Sequence, residues 1–329
     1  MADGAAGTGG TQARRGGAGV STRGETPAAA RPVRQVRPVR LGPRSVAALA
    51  LVSAVGVAAF GWPLLADSAS GLAHSRDAPW LFAGLLPLLL AVVVATIADT
   101  GMDAKAIAMI GVLAAAGAAL RPLGAGTAGL EPMFFLMVLS GRVLGPGFGF
   151  VLGAVSMLAS ALLTGGVGPW MPFQMLSMGW VTMGAGLLPR PDTLRGRREL
   201  LLLAGYGAVA SVLYGTVMNL QGWTYIAGLG SGISFVPGDP LGENLSRFLA
   251  YVLATSLGWD LPRAVLTVVL TLTLGSTVLK ALRRATRRAA FDAPVSFTAP
   301  GGREQSGNRG GPPGVLETDS PQSISRTAR

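Results

Sequence analysis

Repeated apolar stretches of membrane-spanning length constrain this chain more than any other feature of its sequence. A helix needs about 20 predominantly apolar residues to cross the hydrocarbon core of a bilayer. Eight apolar runs follow one another at residues 45–65, 80–98, 104–120, 132–144, 148–163, 170–188, 200–220 and 245–282. Charged residues make up only 13% of the chain, against about a quarter in a typical soluble domain. The sequence therefore predicts an all-α integral membrane protein.

The last apolar run is too long for a single crossing. At 1.5 Å per residue, residues 245–282 would span roughly 55 Å, whereas the hydrocarbon core is about 30 Å thick. Gly258 and Pro262 interrupt the run. We predict a first half that packs on the outer face without crossing, then one crossing over residues 262–282 with Pro262 in its first turn. The chain then has eight crossings.

Positive charge is concentrated in three places and predicts the orientation. Eight Arg precede the first run, four lie in residues 190–198, and residues 280–288 hold one Lys and four Arg. With eight crossings all three clusters fall on one side, which the positive-inside rule makes the cytoplasm. The net charge of +11 is therefore explained by topology and contact with the lipid bilayer, and no nucleic-acid partner is predicted.

These patterns divide the chain into four parts, with both termini cytoplasmic in a multi-pass protein of the cell membrane. The tails have a composition typical of disorder, rich in Gly, Pro and polar residues without apolar periodicity. The predicted parts are a disordered basic tail at 1–44, two transmembrane helices at 45–98, a larger membrane domain at 99–288 and a second disordered tail at 289–329.

Polar and aromatic side chains converge at the predicted outer ends of the last three crossings. Polar groups within or beside spans are costly and tend to face a cavity. The predicted substrate site comprises Trp170, Gln174, Asn219, Trp223, Glu243, Asn244 and Arg247, and we expect it to take an uncharged or weakly charged organic solute. Residues 222–242 form a long, Gly-rich connection that suits a mobile lid.

Alternative roles remain open for several of these outer residues. Trp170 and Trp223 have the character of interface anchors. Asp260 and Arg263 are three residues apart on a helix and could simply pair with each other.

Small residues form two further patterns. Ala104 and Ala108 are four residues apart, and Ala114 with Ala118 and Ala115 with Ala119 continue the stripe. Such stripes let another helix approach closely, either inside the protein or at a partner surface. The Gly-rich segment 141–153 predicts a tight cytoplasmic turn between closely packed spans, and it lacks the Gly-Lys-Ser or Gly-Lys-Thr of a phosphate loop.

Catalytic chemistry has little support in the sequence. The chain has no Cys and a single His, His74, so no disulfide, metal site, cofactor or catalytic residue is predicted. An intramembrane protease needs a Ser activated by a base, and His74 is remote in sequence from Ser160 and Ser177. A stand-alone secondary transporter is the alternative, but of the mid-span carboxylates expected in a proton-coupled carrier only Asp260 is evident.

Residues 104–190 resemble the substrate-specific S component of energy-coupling factor (ECF) vitamin transporters. The resemblance is carried by Ala104-Lys-Ala-Ile-Ala108, Leu139-Ser-Gly-Arg-Val-Leu-Gly-Pro-Gly147, and Thr164-Gly-Gly-Val-Gly-Pro-Trp170 leading to Gln174. It continues more loosely to about residue 285 through Thr255-Ser-Leu-Gly-Trp-Asp260. The resemblance implies a six-helix bundle with both ends cytoplasmic, from which this chain departs by two extra N-terminal transmembrane helices.

The same resemblance implies a function without catalysis. Such a subunit captures a vitamin or related small organic solute in an outward-facing cavity and docks on a transmembrane coupling subunit driven by two ATPase subunits. The family's Ala-x-x-x-Ala coupling motif corresponds to Ala104 and Ala108. Large cobalamin-like solutes and smaller flat vitamins are both compatible with the sequence.

Overall fold

Ten α-helices make up most of the described chain, which in the computed structural model comprises residues 42–65, 78–99, 104–124, 129–189, 194–223 and 232–289. They are α1 Pro43–Leu65, α2 Ala78–Asp99, α3 Ala104–Leu120, α4 Met133–Leu144, α5 Pro146–Thr164, α6 Met171–Leu187, α7 Arg197–Trp223, α8 Leu241–Thr255, α9 Leu257–Thr273 and α10 Gly275–Ala289, with a short 3-10 helix at Pro122–Gly124. No strand occurs within those ranges. The prediction of an all-helical protein is therefore confirmed.

Each predicted apolar run coincides with a helix or, for the last run, with three. The predicted disordered tails lie outside the described residues, except for Gly42, for Pro43 and Arg44 in α1, and for Ala289 at the end of α10. Residues 224–231 of the predicted lid also lie outside them.

Four described helices are long and apolar enough to cross a membrane, namely α1, α3, α5 and α7. The bent pair α8 and α9 counts as a fifth if it forms one broken span. The apolar parts of α2 and α4 are shorter, and α6 has 17 residues. Eight crossings therefore remain a prediction, which requires these three helices to cross as well.

Glycine lets α4, α5 and α6 approach at backbone distance. A Cβ at Gly141 would overlap the carbonyl oxygen of Thr182, and one at Gly153 would overlap that of Met178. Gly145, with a φ of 90°, forms the turn between α4 and α5, in a conformation that favours glycine. The predicted tight turn between closely packed helices is confirmed.

The last apolar run bends earlier than the sequence predicts. α8 and α9 meet at an angle of 64° around Ser256, and Pro262 lies inside α9 rather than in a first turn. The physical reason is that the two helices pack on different neighbours: α8 buries Phe248 against Trp223, whereas α9 follows α7. The predicted crossing at 262–282 is also interrupted, because a turn at Leu274 separates α9 from α10.

The core lies between α4, α5 and α6, and the N-terminal helices complete one of its sides. Phe134, Phe148 and Phe150 are fully buried there. On the α1 side, Phe60 packs edge-on against Phe173 with ring centroids 4.7 Å apart. α1 and α2 are thus part of the same core as the later helices.

Candidate substrate site and partner surface

The two ends of the bundle differ in their polar residues. We call the end at which α3 finishes and α4 begins the outer end, and the opposite one the inner end, after the predicted topology. Glu131 precedes α4 and Arg142 lies in its last turn, so these two charged residues mark the outer and inner ends respectively.

Trp223 anchors the described part of the connection between α7 and α8. Its ring is fully buried, with centroids 5.3 Å from those of Phe235 and Phe248. Its Nε1 donates a hydrogen bond of 2.7 Å to the carbonyl oxygen of Ile233. The aromatic surface predicted to stack on a solute is therefore in contact with the chain's own aromatic side chains.

Asn244 and Arg247 hold the same connection onto α8. The buried Asn244 side chain donates to the carbonyl oxygen of Val236 at 2.8 Å and accepts from its N–H at 3.1 Å. Arg247 forms ion pairs with Asp239 at 2.6 Å and with Glu243 at 3.3 Å. Four of the predicted site residues, including Trp223, thus lie together and fix residues 232–240 in place.

The other predicted site residues lie at the start of α6 and on α7. Trp170 precedes α6, is 46% exposed and donates from Nε1 to the carbonyl oxygen of Gly166 at 3.2 Å. Gln174, in the first turn of α6, is half-buried. Asn219 on α7 donates to the hydroxyl of Ser256, at the bend between α8 and α9.

A buried ion cluster at the outer end consists of three residues outside the predicted solute site, namely Glu131, Asp260 and Arg263. Arg263 forms ion pairs with Asp260 at 2.7 Å and with Glu131 at 3.0 Å. The guanidinium carbon lies 5.1 Å from the ring centroid of Phe134 and 5.4 Å from that of Tyr214, within the range of cation–π attraction. The predicted pairing of Asp260 with Arg263 is confirmed. Glu131 was missed because 132 positions separate it from Arg263.

A second buried ion cluster lies at the inner end. Glu199 at the start of α7 pairs with Arg142 at 3.0 Å and with Arg283 of α10 at 2.6 Å. Arg142 also donates from Nη1 to the carbonyl oxygens of Leu188 and Pro189, at 3.2 and 2.5 Å. The sequence signals this cluster only through Arg142, which lies within the apolar run 132–144. A charged residue within a membrane-spanning segment usually has a polar partner.

The small-residue stripe of α3 divides between two faces. Ala104, Ala108, Ala115 and Ala119 are exposed in the single chain, whereas Ala114 and Ala118 are buried against neighbouring helices. The expectation that all six form one stripe is therefore wrong, because the 100° rotation per residue places Ala114 and Ala118 on the inward face. Ala104 and Ala108 remain on a face that another helix could approach.

In the part of the chain that the structure describes, an apolar groove and a metal site are the alternatives to the predicted solute site. An apolar groove of about 420 Å³ lies between Leu130 and α9, lined by Leu261, Pro262, Val265, Leu266 and Val269. It has no polar lining to orient a solute, and it is not where the sequence predicts the site. In the same ranges there is no group of three or more His, Cys, Asp or Glu residues that could hold a metal ion.

These features define a multi-pass helical membrane protein with a buried ion cluster at each end and a small-residue helix face left uncovered. A sequence model of the family described as "ECF transporter, substrate-specific component" matches residues 105–275, which is more than half of the chain. No curated protein and no solved structure was found to match it. The chain belongs to the family of substrate-specific components of ECF transporters. Members of this family are substrate-binding transporter subunits rather than enzymes, and they work with a transmembrane coupling subunit and ATPases.

Proposed function

We propose that this chain is the substrate-binding subunit of an ATP-driven ECF-type importer in the cell membrane. It captures a vitamin or related small organic solute from outside the cell and docks on a coupling subunit driven by two ATPase subunits. The observation that carries the proposal is the family match over residues 105–275, which runs from α3 to the start of α10. α3 to α10 then form the six-helix bundle, with α8 to α10 as its last crossing, and α1 and α2 are additional transmembrane helices.

The solute site is proposed at the outer ends of α6, α7 and α8. Gln174 and Asn219 offer amide groups, and the exposed Trp170 offers an aromatic face for stacking. Trp223, Glu243, Asn244 and Arg247 act as positioning residues, because their contacts hold residues 232–240 against α8. A site of this kind takes most of its affinity from apolar contact, and a few polar groups fix the orientation.

A binding titration tests this site. The solute is identified by mass spectrometry of the purified protein, and its dissociation constant is measured for wild type, Asn219→Ala and Trp170→Ala. Loss of one hydrogen-bond partner should cost about 1–3 kcal/mol, or roughly tenfold to a hundredfold in affinity. Trp259→Ala is the matched control, because Trp259 is also an exposed outer-end Trp, at 52%, but lies outside the proposed site. Wild-type affinity in both folded test variants would place the solute elsewhere.

The partner surface is proposed on the exposed face of α3. Ala104 and Ala108 leave room for close approach of a helix from the coupling subunit, and the same face continues through Ala115 and Ala119. Ala108→Trp should therefore abolish co-purification with the coupling subunit while leaving solute binding intact. Val209→Trp is the control, because Val209 is 59% exposed on α7, away from this face. Normal assembly of the Ala108→Trp protein would show that the face is not the docking surface.

A further inference from the structure

α7 and α9 pack antiparallel along four pairs of residues, each about one helical turn from the next. From the outer end inward, the pairs are Asn219 with Ser256, Gly215 with Asp260, Ser211 with Arg263, and Gly207 with Thr267. The α7 members are spaced by four residues, so they lie on one face of that helix. Asp260 and Arg263 are the charged members. Both belong to the outer ion cluster, so this cluster lies partly within the interface between α7 and α9.

Asp260 and Thr267 are the two members with a buried side-chain oxygen that has no hydrogen-bond partner among the described residues, and Asp260 is the charged one. The residue is only 2% exposed, and its Oδ1 accepts a hydrogen bond of 2.7 Å from Arg263. Its Oδ2 is buried and accepts no hydrogen bond from any described residue. Buried polar atoms nearly always have partners, so an unpartnered carboxylate oxygen needs an explanation.

Gly215 makes room for this carboxylate. A Cβ at position 215 would overlap both carboxylate oxygens of Asp260, so any other residue there would push the acid out of the interface. The carboxylate is therefore packed directly against the backbone of α7, beneath the Asn219 of the proposed solute site.

Among the three residues that are directly ion-paired, the charges are also unbalanced. Arg263 supplies one positive charge, whereas Asp260 and Glu131 supply two negative charges. The Arg263 guanidinium lies over the rings of Phe134 and Tyr214, which are in edge-to-face contact with each other. The Glu131 side chain is 23% exposed, so the cluster reaches the surface on that side. What would complete the cluster is one positive charge with an N–H donor, aimed at Oδ2.

We propose that Asp260 is a specificity-determining residue, and that the imported solute carries a basic nitrogen group whose N–H binds its free oxygen Oδ2. This inference rests on the proposed function and names the class of solute. The Asn219–Ser256 contact lies one turn of α7, about 5.4 Å, nearer the outer end than the Gly215–Asp260 pair. The nitrogen group reaches Oδ2 when this contact opens, and Asn219 is then available to bind the solute as well.

The test uses the full chain in wild-type form and as Asp260→Asn and Glu131→Gln. Each purified protein is incubated with a small-molecule extract of the expression host and washed, and the retained compounds are identified by mass spectrometry. Dissociation constants are then measured for the retained compound and for its analogue with a hydroxyl in place of the nitrogen group. Circular dichroism and gel filtration establish that each variant is folded.

We expect wild type to retain a compound with a basic N–H group and to bind it more tightly than the hydroxyl analogue. Asp260→Asn should lose roughly tenfold to a hundredfold in affinity and lose the preference for nitrogen, because its amide can present a donor where Oδ2 was. Glu131→Gln removes a partner of Arg263 but keeps Oδ2, so it should lose less. If the only role of Asp260 is to position Arg263, Asp260→Asn and Glu131→Gln should lose the same affinity, and both should still prefer the nitrogen compound to its hydroxyl analogue. That result would overturn the inference.

Other results would overturn the inference. If wild type retains a solute without a basic nitrogen group, the inference is wrong and the proposed function stands, whether or not Asp260→Asn folds. Unchanged affinity and preference in a folded Asp260→Asn protein would have the same meaning. If wild type retains no solute at all, the proposed function fails, and the inference fails with it.

Discussion

Glu199→Gln should be strongly destabilising, because it removes the counter-charge of a buried arginine. One oxygen of Glu199 accepts hydrogen bonds from Arg142 and from Arg283. The side chains of Glu199 and Arg142 are 2% and 1% exposed, whereas Arg283 is 35% exposed. After the substitution Arg283 can be hydrated, but Arg142 cannot.

The magnitude follows from Arg142 alone. Removal of one partner from a buried ion pair costs about 3–5 kcal/mol. The Gln amide oxygen still accepts one hydrogen bond, and the carbonyl oxygens of Leu188 and Pro189 remain, so the lower figure of about 3 kcal/mol applies. For a folded unit of this size each kcal/mol shifts the midpoint by about 2–4 °C. The expected fall in Tm is therefore about 6–12 °C.

Thermal unfolding in detergent, followed by circular dichroism, measures this shift. The matched control is Glu243→Gln, because Glu243 is 61% exposed in its pair with Arg247, and exposed pairs contribute about 0–1 kcal/mol. The double variant Arg142→Met, Glu199→Met should recover part of the loss, since it leaves no unpaired charge in the interior.

A Tm for Glu199→Gln within about 2 °C of that of Glu243→Gln would refute the reasoning, since that difference corresponds to no more than about 1 kcal/mol. It would mean that Arg142 finds solvent or another partner at the inner end. A double variant less stable than Glu199→Gln would show that the hydrogen bonds from Arg142 to the carbonyl oxygens stabilise the fold by more than its unpaired charge destabilises it.

Two further predictions concern packing and topology. Gly153→Leu should abolish the folded, detergent-stable protein, because a side chain at this position would overlap the backbone of Met178. Gly205→Leu is the control and should be tolerated, because nothing lies within 4 Å of its Cβ position. Equal yields of the two variants by gel filtration would contradict the close packing of α5 and α6. A Cys introduced at Arg195 should be protected from an impermeant thiol reagent in intact cells and one at Glu243 should react, since the chain has no other Cys; the reverse pattern would show the opposite orientation.

Features that depend on local sequence were predictable. Apolar runs between polar connections correspond to the helices because backbone hydrogen bonding and burial both act over neighbouring residues. The turn at Gly145 is visible for the same reason, as its φ of 90° favours glycine. The pair of Asp260 and Arg263 follows from a spacing of three on one helix.

Features that depend on how helices rotate and meet were not predictable. Nothing in the sequence relates Glu131 to Arg263, or Arg142 to Glu199, because their contacts depend on the register between separate helices. The division of the alanine stripe has the same cause, since only the neighbours of α3 decide which face is buried. The bend at Ser256 reflects the packing of α8 on Trp223, which no local signal contains.

The docking of α1 on α6 has a practical consequence for shortening the chain. Trp180 donates from Nε1 to the hydroxyl of Ser53 at 2.9 Å, and Gly56 meets the side chain of Leu176 directly. A version trimmed to the family-matched region would lack α1, which packs on one side of α6. The indole N–H of Trp180 would then lose its acceptor, and the apolar surface of α6 around Leu176 would be exposed to detergent. Residues 43–65 therefore belong in any minimal protein prepared for crystallography or reconstitution.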